Sequence, residues 1–296
     1  MTAILVVDGN TPEVSEATVK IGAGPAAETY AAALAHLAPG LDTRVARPSW
    51  PDFDPGAVAL DGLDGVALTG SGVSWSADAP EARSHRRLLE RAFAAGLPVI
   101  GSCWGLHVAA VVLGGRVRHS PNGLELGVAR HVRLTAAGAA HPLHAGRDPV
   151  FDAVCIHRDE VAEPPAGARV TAENEHTGVQ AMVYETNGAR FWGVQYHPEL
   201  TLANAALYIA RGGENVLLDP TKFESRAALA QVIADFQSIS ADPMTHAALL
   251  WRYGVRPEVV TFERRTVELA NWLAALDAPV AHHGPAPEEI AADAAL

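Results

Sequence analysis

Apolar and polar positions follow a regular rhythm over the N-terminal part of the chain. Short runs rich in Val, Ile and Leu, typical of buried strands, alternate with Ala-rich stretches whose apolar residues recur at helical spacing. The predicted strands are AILVVDG (3–9), TRVARP (43–48), GVALTG (65–70) and LPVIG (97–101). The predicted helices are PAAETYAAALAHL (25–37), PEARSHRRLLERAFAAG (80–96) and HVAAVVLGG (107–115). Such alternation predicts a parallel α/β sheet with helices on both faces.

The pattern changes in the middle of the chain, where strands dominate from about Val117 to Gln195. The runs are ELGVARHVRL, AVCIH, ARVTAEN, VQAMVYE and ARFWGVQY. They predict either an antiparallel edge of the same sheet or a small β layer upon it. The helix TLANAALYIARG then closes the first unit near residue 213, while the polar stretch from Asn10 to Lys20 is interpreted as a loop.

The remaining residues are helical by pattern. Apolar residues recur at helical spacing in two groups: Leu229, Val232, Ile233 and Phe236, and then Leu269, Leu273 and Leu276. The last twenty residues, 277–296, are rich in Pro, Ala and acids, and they predict a loosely held tail. We therefore expect two units, a sheet domain over 1–213 and a helical C-terminal extension over 214–296.

A formal net charge of −12 limits the classes of partner. Nothing in the chain would neutralise a run of phosphates, and no cluster of Lys or Arg offers a surface for anionic lipids. The first residues lack the basic segment of a signal peptide, and no apolar run reaches transmembrane length. The two cysteines make no disulfide framework. We expect a cytoplasmic protein without nucleic-acid or membrane partners.

One of the two cysteines, Cys103, stands at the sharpest predicted turn. It follows a strand, precedes a helix and has Gly101 and Gly105 two residues away on either side. Such an elbow projects a nucleophile above the sheet, and the helix N-terminus favours a thiolate and offers free N–H groups to an oxyanion. Cys155, in the strand-like run AVCIH, reads as a small buried apolar residue.

A thiolate nucleophile needs a base, and the base needs a residue to orient it. Among 13 histidines, His197 stands out because the strand-like run FWGVQY leads into His197, Pro198 and Glu199. Pro stops the strand, and residues two apart lie on the same side of an extended chain. Glu199 could then hold one imidazole nitrogen while the other faces sulfur. Alone, this motif would read as a surface turn.

Together these motifs resemble the class I glutamine amidotransferases, most closely the glutaminase domain of GMP synthase. The likeness covers about residues 3 to 212 and rests on motifs in the family's order: LTGSGVSW, PVIGSCWGLH, LGG, GLELGV, HRDEV and GVQYHPE. It implies a flavodoxin-like fold with a mostly parallel sheet. It also implies a catalytic triad in which Cys103 is the nucleophile, His197 the base and Glu199 the orienting residue.

The resemblance assigns further residues to the site. It implies oxyanion donors at the N–H groups of Ser71 and Trp104, and substrate contacts at five positions: Gly70, His107, Ile156, His157 and Arg158. Three of these positions depart from the family, where Gln stands in place of His107, a polar residue in place of Ile156 and Gly in place of Arg158. The triad is intact, so the substitutions suggest conserved chemistry on a changed substrate. Drift in a pocket that still takes glutamine is the alternative.

We therefore expect a cysteine-dependent hydrolase that cleaves a γ-glutamyl amide, either a substituted amide such as a γ-glutamyl amine or anilide, or glutamine, through a thioester. Two alternatives stay open: a glutaminase subunit that supplies ammonia to a separate synthase, and a non-catalytic binding protein on the same fold. The reaction needs no cofactor, and we expect no metal site, since the histidines of HPLH (141–144) and HHGPAPEE (282–289) lack ligand spacing. A homo-oligomer remains open. Aromatic residues near Phe53 and Trp75 could line an amine pocket.

Overall fold

The computed structural model describes residues 2–217 and 223–276. The strands in these ranges are β1 (Ala3–Val7), β2 (Asp42–Ala46), β3 (Gly65–Leu68), β4 (Pro98–Ser102), β5 (Arg116–His119), β6 (Glu125–Leu134), β7 (Val150–His157), β8 (Asp159–Glu163), β9 (Arg169–Glu173), β10 (Ala181–Thr186) and β11 (Ala189–Val194). Nine of these described strands form one sheet in the order β2-β1-β3-β4-β11-β10-β9-β6-β7, and β5 pairs with β8 beside it.

Strand direction divides the large sheet into two halves. Strands β2, β1, β3, β4 and β11 run parallel to one another, and β10, β9, β6 and β7 continue the sheet with antiparallel pairings. All five residues of β1 are buried, as expected for a parallel strand with helices on both faces. The predicted α/β sheet is confirmed, and of the two alternatives for the middle of the chain the antiparallel edge is correct; the separate β5–β8 pair comes from residues outside the predicted runs.

Helices connect the strands and cover the sheet. In the described ranges they are α1 (Pro12–Lys20), α2 (Ala26–Leu37), α3 (Arg83–Ala94), α4 (Trp104–Val112), α5 (Ala136–Ala139), α6 (Leu202–Leu217), α7 (Arg226–Ala241), α8 (Ala247–Tyr253), α9 (Pro257–Val260), α10 (Phe262–Arg265) and α11 (Val267–Ala275). None of them is both long and apolar enough to cross a bilayer.

The prediction of a loop over residues 10–20 is wrong, because most of this segment forms helix α1. Its first turn carries two helix-start signals: the Thr11 side chain accepts a hydrogen bond from the N–H of Val14 at 3.4 Å, and Pro12 occupies the first turn. Thr18, fully buried, bonds back to the Val14 carbonyl at 2.8 Å. The segment reads as polar because most of its surface faces solvent or the cavity described below.

The C-terminal helices pack on the sheet, which confirms a helical extension over residues 226–275. Leu269 and Trp272 of α11 belong to the apolar cluster that contains Ile4 and Ile100 of the parallel strands. Phe236 of α7 packs in another cluster, with β6, β7 and α6. The boundary after residue 213 stays a prediction, and the predicted tail over 277–296 lies outside the described residues.

Candidate active site

Cys103 occupies the turn between β4 and α4, at the carboxyl end of the parallel strands. Its backbone angles are φ 51° and ψ −108°, a region that residues with a side chain rarely adopt. Such strain costs about 1–3 kcal/mol and persists only where neighbours enforce it. Here the Cys103 N–H donates to the Val194 carbonyl of β11 at 2.8 Å. The turn therefore has the predicted elbow geometry.

The two flanking glycines are required by close backbone packing. A Cβ at Gly105 would lie 2.6 Å from the Cβ of Leu68, and one at Gly101 would lie 2.8 Å from the carbonyl carbon of Gly105. Contacts this short do not occur in proteins, so a side chain at either position would push α4 away from the sheet. The spacing around Cys103 thus reflects a packing requirement of the elbow.

His197 lies just beyond β11, beside the elbow. Its backbone N–H donates to the Val154 carbonyl of β7 at 2.8 Å, and its imidazole Nδ1 lies 2.6 Å from Oε1 of Glu199. Both side chains are buried, and Cys103 is the other side-chain partner of the imidazole. The structure brings together the three residues of the predicted triad.

The charges around His197 control the protonation state of its imidazole. Burial by itself lowers the pKa of His197, but the Glu199 carboxylate and then the Cys103 sulfur raise it above its ordinary value of 6.5. An imidazolium beside the sulfur is the arrangement that stabilises a thiolate in reactive cysteine sites. The cluster can therefore supply both a nucleophile and a proton.

The loop after β3 borders the sulfur from the other side. Asn10 Oδ1 accepts the N–H of Gly72 at 2.9 Å, and the Ser71 hydroxyl donates to the Gly9 carbonyl at 2.8 Å. Trp104 is the first residue of α4, so its N–H has no intrahelical acceptor, and no acceptor in the described ranges takes the N–H of Ser71. Both predicted oxyanion donors therefore remain available.

An open cavity of about 530 Å³ lies over Cys103 and His197. Its lining comes from α1, the loop after β3, the elbow, the end of β7 and α6. This volume falls in the ordinary range for small-molecule sites. The predicted substrate residues all border it: Gly70, His107, Ile156, His157 and Arg158.

These predicted substrate residues differ in what they contact. Gly70 packs against the His197 imidazole, since a Cβ there would lie 2.4 Å from its Cε1. His107 Nε2 lies 2.8 Å from Gln195 Oε1, and burial lowers the pKa of His107 to about 4, so the ring is neutral. The Cys103 thiol lies 3.7 Å from the Ile156 carbonyl oxygen, its acceptor. Arg158 lies exposed at the rim.

His157 belongs to a polar network behind the cavity wall. Its Nε2 lies 2.7 Å from Glu125 Oε2, which also accepts from the Gln180 side chain at 2.7 Å, while Asn174 donates to Oε1 at 2.7 Å. Glu125, His157 and His176 also form one described group of potential metal ligands. Because three side chains already donate to the carboxylate, the group reads as a structural support for β6 and β7.

Other candidate residues lie elsewhere than the sequence suggested. Phe53 and Trp75 pack against an apolar cluster and do not border the cavity, so their predicted place in an amine pocket is wrong. His141 and His144 of HPLH bond Glu185 and Thr171, at 3.3 and 3.0 Å.

Cavity residues of α1 and α6 are absent from the residues predicted from the sequence. The signal for α6 is that Tyr208 and Arg211 lie three apart on one helix face.

The C-terminal helices contact the residues on both sides of His197, the Pro198 backbone and the Tyr196 side chain. Arg265 Nε of α10 donates to the Pro198 carbonyl at 3.3 Å, and the Tyr196 hydroxyl donates to Glu268 of α11 at 2.9 Å. Glu268 is fully buried; burial alone raises its pKa, but Arg147 and His144 lower it to about 2. This cluster anchors the turn that carries the imidazole.

Comparisons with known proteins identify relatives of this chain. The model of the family described as glutamine amidotransferase class-I matches residues 34–212. A γ-glutamyl-L-1-hydroxyisopropylamide hydrolase of a Pseudomonas species is 33% identical over 292 residues, covering 94% of each chain. The GMP synthase of Symbiobacterium thermophilum is 35% identical over 140 residues, or 47% of this chain. This chain spans only 25% of that synthase.

Solved structures agree with the fold. A glutamine amidotransferase from Methylobacillus flagellatus superimposes with a TM-score of 0.56 at 20% identity, covering 96% of this chain and 98% of that one. One from Thermotoga maritima gives a TM-score of 0.53 at 17% identity, covering 93% and 96%. The predicted flavodoxin-like fold is confirmed.

Proposed function

The chain belongs to the class I glutamine amidotransferase family, and we propose that it hydrolyses a substituted γ-glutamyl amide through a thioester on Cys103. The observation that carries the proposal is the alignment of Cys103, His197 and Glu199 under an open cavity. The similarity along 94% of the chain to a hydrolase of a substituted γ-glutamyl amide supports the choice of substrate class.

In the proposed reaction the Cys103 sulfur attacks the γ-carbonyl carbon, and the carbonyl oxygen becomes an oxyanion. The N–H groups of Ser71 and Trp104 donate to that oxygen, and such a donor contributes about 3 kcal/mol in other acyl-transfer enzymes. The His197 imidazolium gives its proton to the amide nitrogen, the C–N bond breaks and the amine leaves. Only a thioester between Cys103 and the glutamyl group remains.

Water then completes the reaction. The neutral imidazole of His197, oriented by Glu199 through the 2.6 Å contact, takes a proton from a water molecule that attacks the thioester carbonyl. The C–S bond breaks, glutamate leaves, and the proton taken from water stays on the Cys103–His197 pair, which is thereby restored. The substituted positions His107, Ile156 and Arg158 border the cavity. In the proposed complex they face the glutamyl group, and Arg158 supplies a cation for its α-carboxylate.

A second candidate function is a glutaminase that supplies ammonia to a separate synthase. The observation that favours it is the similarity to the GMP synthases, although the chain covers only about a quarter of their length. A non-catalytic binding protein would not need the strained backbone at Cys103 or the buried Glu199. We place the protein in a reducing compartment such as the cytoplasm, because Cys103 and Cys155 are buried and form no disulfide with each other.

A substrate screen tests the proposal. The purified full chain is assayed with glutamine and a panel of substituted γ-glutamyl amides, with released glutamate as the readout and Cys103→Ala as the blank. We expect the kcat/KM of at least one substituted amide to exceed that of glutamine. Glutamine as the best substrate would refute the changed-substrate proposal. Weak glutaminase activity that rises when a separately purified synthase is added would favour the second candidate.

A further inference from the structure

The proposed reaction fixes which side of the cavity each half of the substrate occupies. The oxyanion lies between the N–H groups of Ser71 and Trp104, and the amide nitrogen must face His197 to receive its proton. The glutamyl chain then extends away from His197. The amine substituent therefore lies against the residues that surround the imidazole, and these belong to the Gly70–Gly72 loop, α1 and α6.

The wall beside His197 is formed by α1 and α6. A Cβ at Gly72 would lie 3.2 Å from Val14 Cγ1 of α1 and 2.5 Å from Nη2 of Arg211, so the missing side chain at Gly72 makes room for the guanidinium. Arg211 Nη1 donates to the Thr18 hydroxyl at 2.8 Å. Its guanidinium carbon lies 5.2 Å from the centre of the Tyr208 ring. Two helices and the loop thus hold this cation in one place.

The opposite wall has a different chemical character. It is formed by the start of β6, the end of β7, and the two residues that follow β7, Arg158 and Asp159, of which Asp159 is the first residue of β8. A cation next to an anion matches the carboxylate and ammonium of the glutamyl group, which every substrate of this class shares. By contrast, the wall beside His197 combines the apolar Val14 and Ala17 with Tyr208 and Arg211, and the solvent-exposed Glu13 borders the cavity from the same helix as Val14.

We propose that the cleft between α1 and α6 is the amine subsite, and that Arg211 selects a short alkylamine carrying an oxygen acceptor, a hydroxyl or a carboxylate. The inference rests on the proposed function. Val14 and Ala17 cover the alkyl part, and the guanidinium donates to the oxygen. A second ammonium on the amine would face Arg211 and be disfavoured. The positions His107, Ile156 and Arg158 then recognise the glutamyl group and not the amine.

The distribution of similarity along the chain agrees with this assignment. The family match begins at residue 34, so α1 lies outside it, although the chemistry-bearing residues lie inside. The similarity to the hydrolase of the hydroxyisopropylamide, in contrast, covers 94% of the chain. Only the α1 side of the cleft lies outside the family match, because Tyr208 and Arg211 of α6 fall within it.

Four γ-glutamyl amides with one carbon skeleton test the subsite. Their amines are isopropylamine, 2-amino-1-propanol, alanine and 1,2-diaminopropane, so a single position carries a methyl, hydroxyl, carboxylate or ammonium group. We expect the hydroxyl or the carboxylate compound to exceed the methyl compound in kcat/KM by about tenfold or more, as for a hydrogen bond to a charged group. The comparison of these two shows which acceptor the cleft takes. The ammonium compound is expected to be the poorest.

Variants of the chain test whether Arg211 is the residue that selects the amine. Arg211→Met keeps the apolar stem but removes the charge, and Gly72→Ala displaces the guanidinium without deleting it. In both variants we expect the differences in kcat/KM among the four amides to become smaller. Arg158→Met, on the opposite wall, is expected to lower all four by the same factor.

The unmodified enzyme already gives a decisive result, whatever the stability of the variants. A methyl or ammonium compound as the best of the four would overturn the subsite, and so would a ranking that survives in folded Arg211→Met but collapses in Arg158→Met. Glutamate release from some of the four, with no preference for an oxygen, overturns the inference alone. No release from any of them, or from the wider panel of γ-glutamyl amides, overturns the proposed function and the inference with it.

Discussion

Arg265 offers a test of whether the C-terminal helices position the proposed base. Its Nε donates to the carbonyl oxygen of Pro198, the residue after His197, and its side chain does not border the cavity. The substitution Arg265→Met keeps the apolar stem and removes the donor. We expect kcat to fall while KM stays unchanged, because the glutamyl and amine walls remain intact.

The structure sets the size of this effect. The Pro198 carbonyl is buried, and a buried acceptor that loses its donor costs about 1–3 kcal/mol. Part of that cost appears as a lower free energy of unfolding. If the turn relaxes by about 1 Å, misplacement of the imidazole lowers kcat by up to about 100-fold. Urea denaturation measures the first quantity, and glutamate release at saturating substrate measures the second.

The neighbouring residue supplies a matched control. Arg264 is exposed, and its side chain pairs with Asp148 at 2.9 Å, away from the site. Arg264→Met is expected to leave kcat and KM unchanged, because exposed ion pairs contribute little. A folded Arg265→Met enzyme with normal kcat would refute the positioning argument, as would an equal loss of kcat in both variants.

Three further predictions follow from the same geometry. Burial lowers the pKa of His85 and of His107 to about 4, so the unfolded chain binds more protons between that value and 6.5. The free energy of unfolding should fall by about 1–2 kcal/mol per histidine from pH 7 to pH 5, and less in His107→Gln; a flat profile would contradict the burial argument. His197→Ala should reduce kcat more than Glu199→Gln, since the imidazole still acts when poorly oriented; the reverse order in steady-state assays would show that the roles are misassigned. Truncation after residue 213 should expose the apolar faces that α7 and α11 cover, giving aggregates in light scattering; a monodisperse, active fragment would show that the extension is dispensable.

The apolar pattern predicts the fold well where strands are buried on both faces or form long runs rich in β-branched and apolar residues. Strand β6 has the predicted bounds, 125–134, and the parallel strands stand out as continuous apolar runs. The polar surface of the segment over α1 is typical of a loop, although the segment has a capped helix start at Thr11 and Pro12. Greater weight on that local capping signal would have predicted the helix.

The candidate site was predictable only where its residues are local. Cys103 carries its glycines with it, and His197 and Glu199 are two residues apart, so short motifs reveal them. Arg265 reaches a residue 67 positions earlier, and Arg211 meets Thr18 across 193 positions. No periodicity or spacing encodes contacts of that separation, because they depend on how the helices pack on the sheet. Three-dimensional packing therefore adds the positioning and selectivity residues to the triad.

The most direct test of the account is the identity of the covalent intermediate. The enzyme is mixed with a substituted γ-glutamyl amide that it turns over. The reaction is quenched in acid within the first turnovers, and the protein is digested and analysed by mass spectrometry. We expect a glutamyl group on the peptide that contains Cys103, absent after Cys103→Ala and retained after Cys155→Ala. A glutamyl group on another residue, or rapid hydrolysis by the Cys103→Ala enzyme, would contradict it.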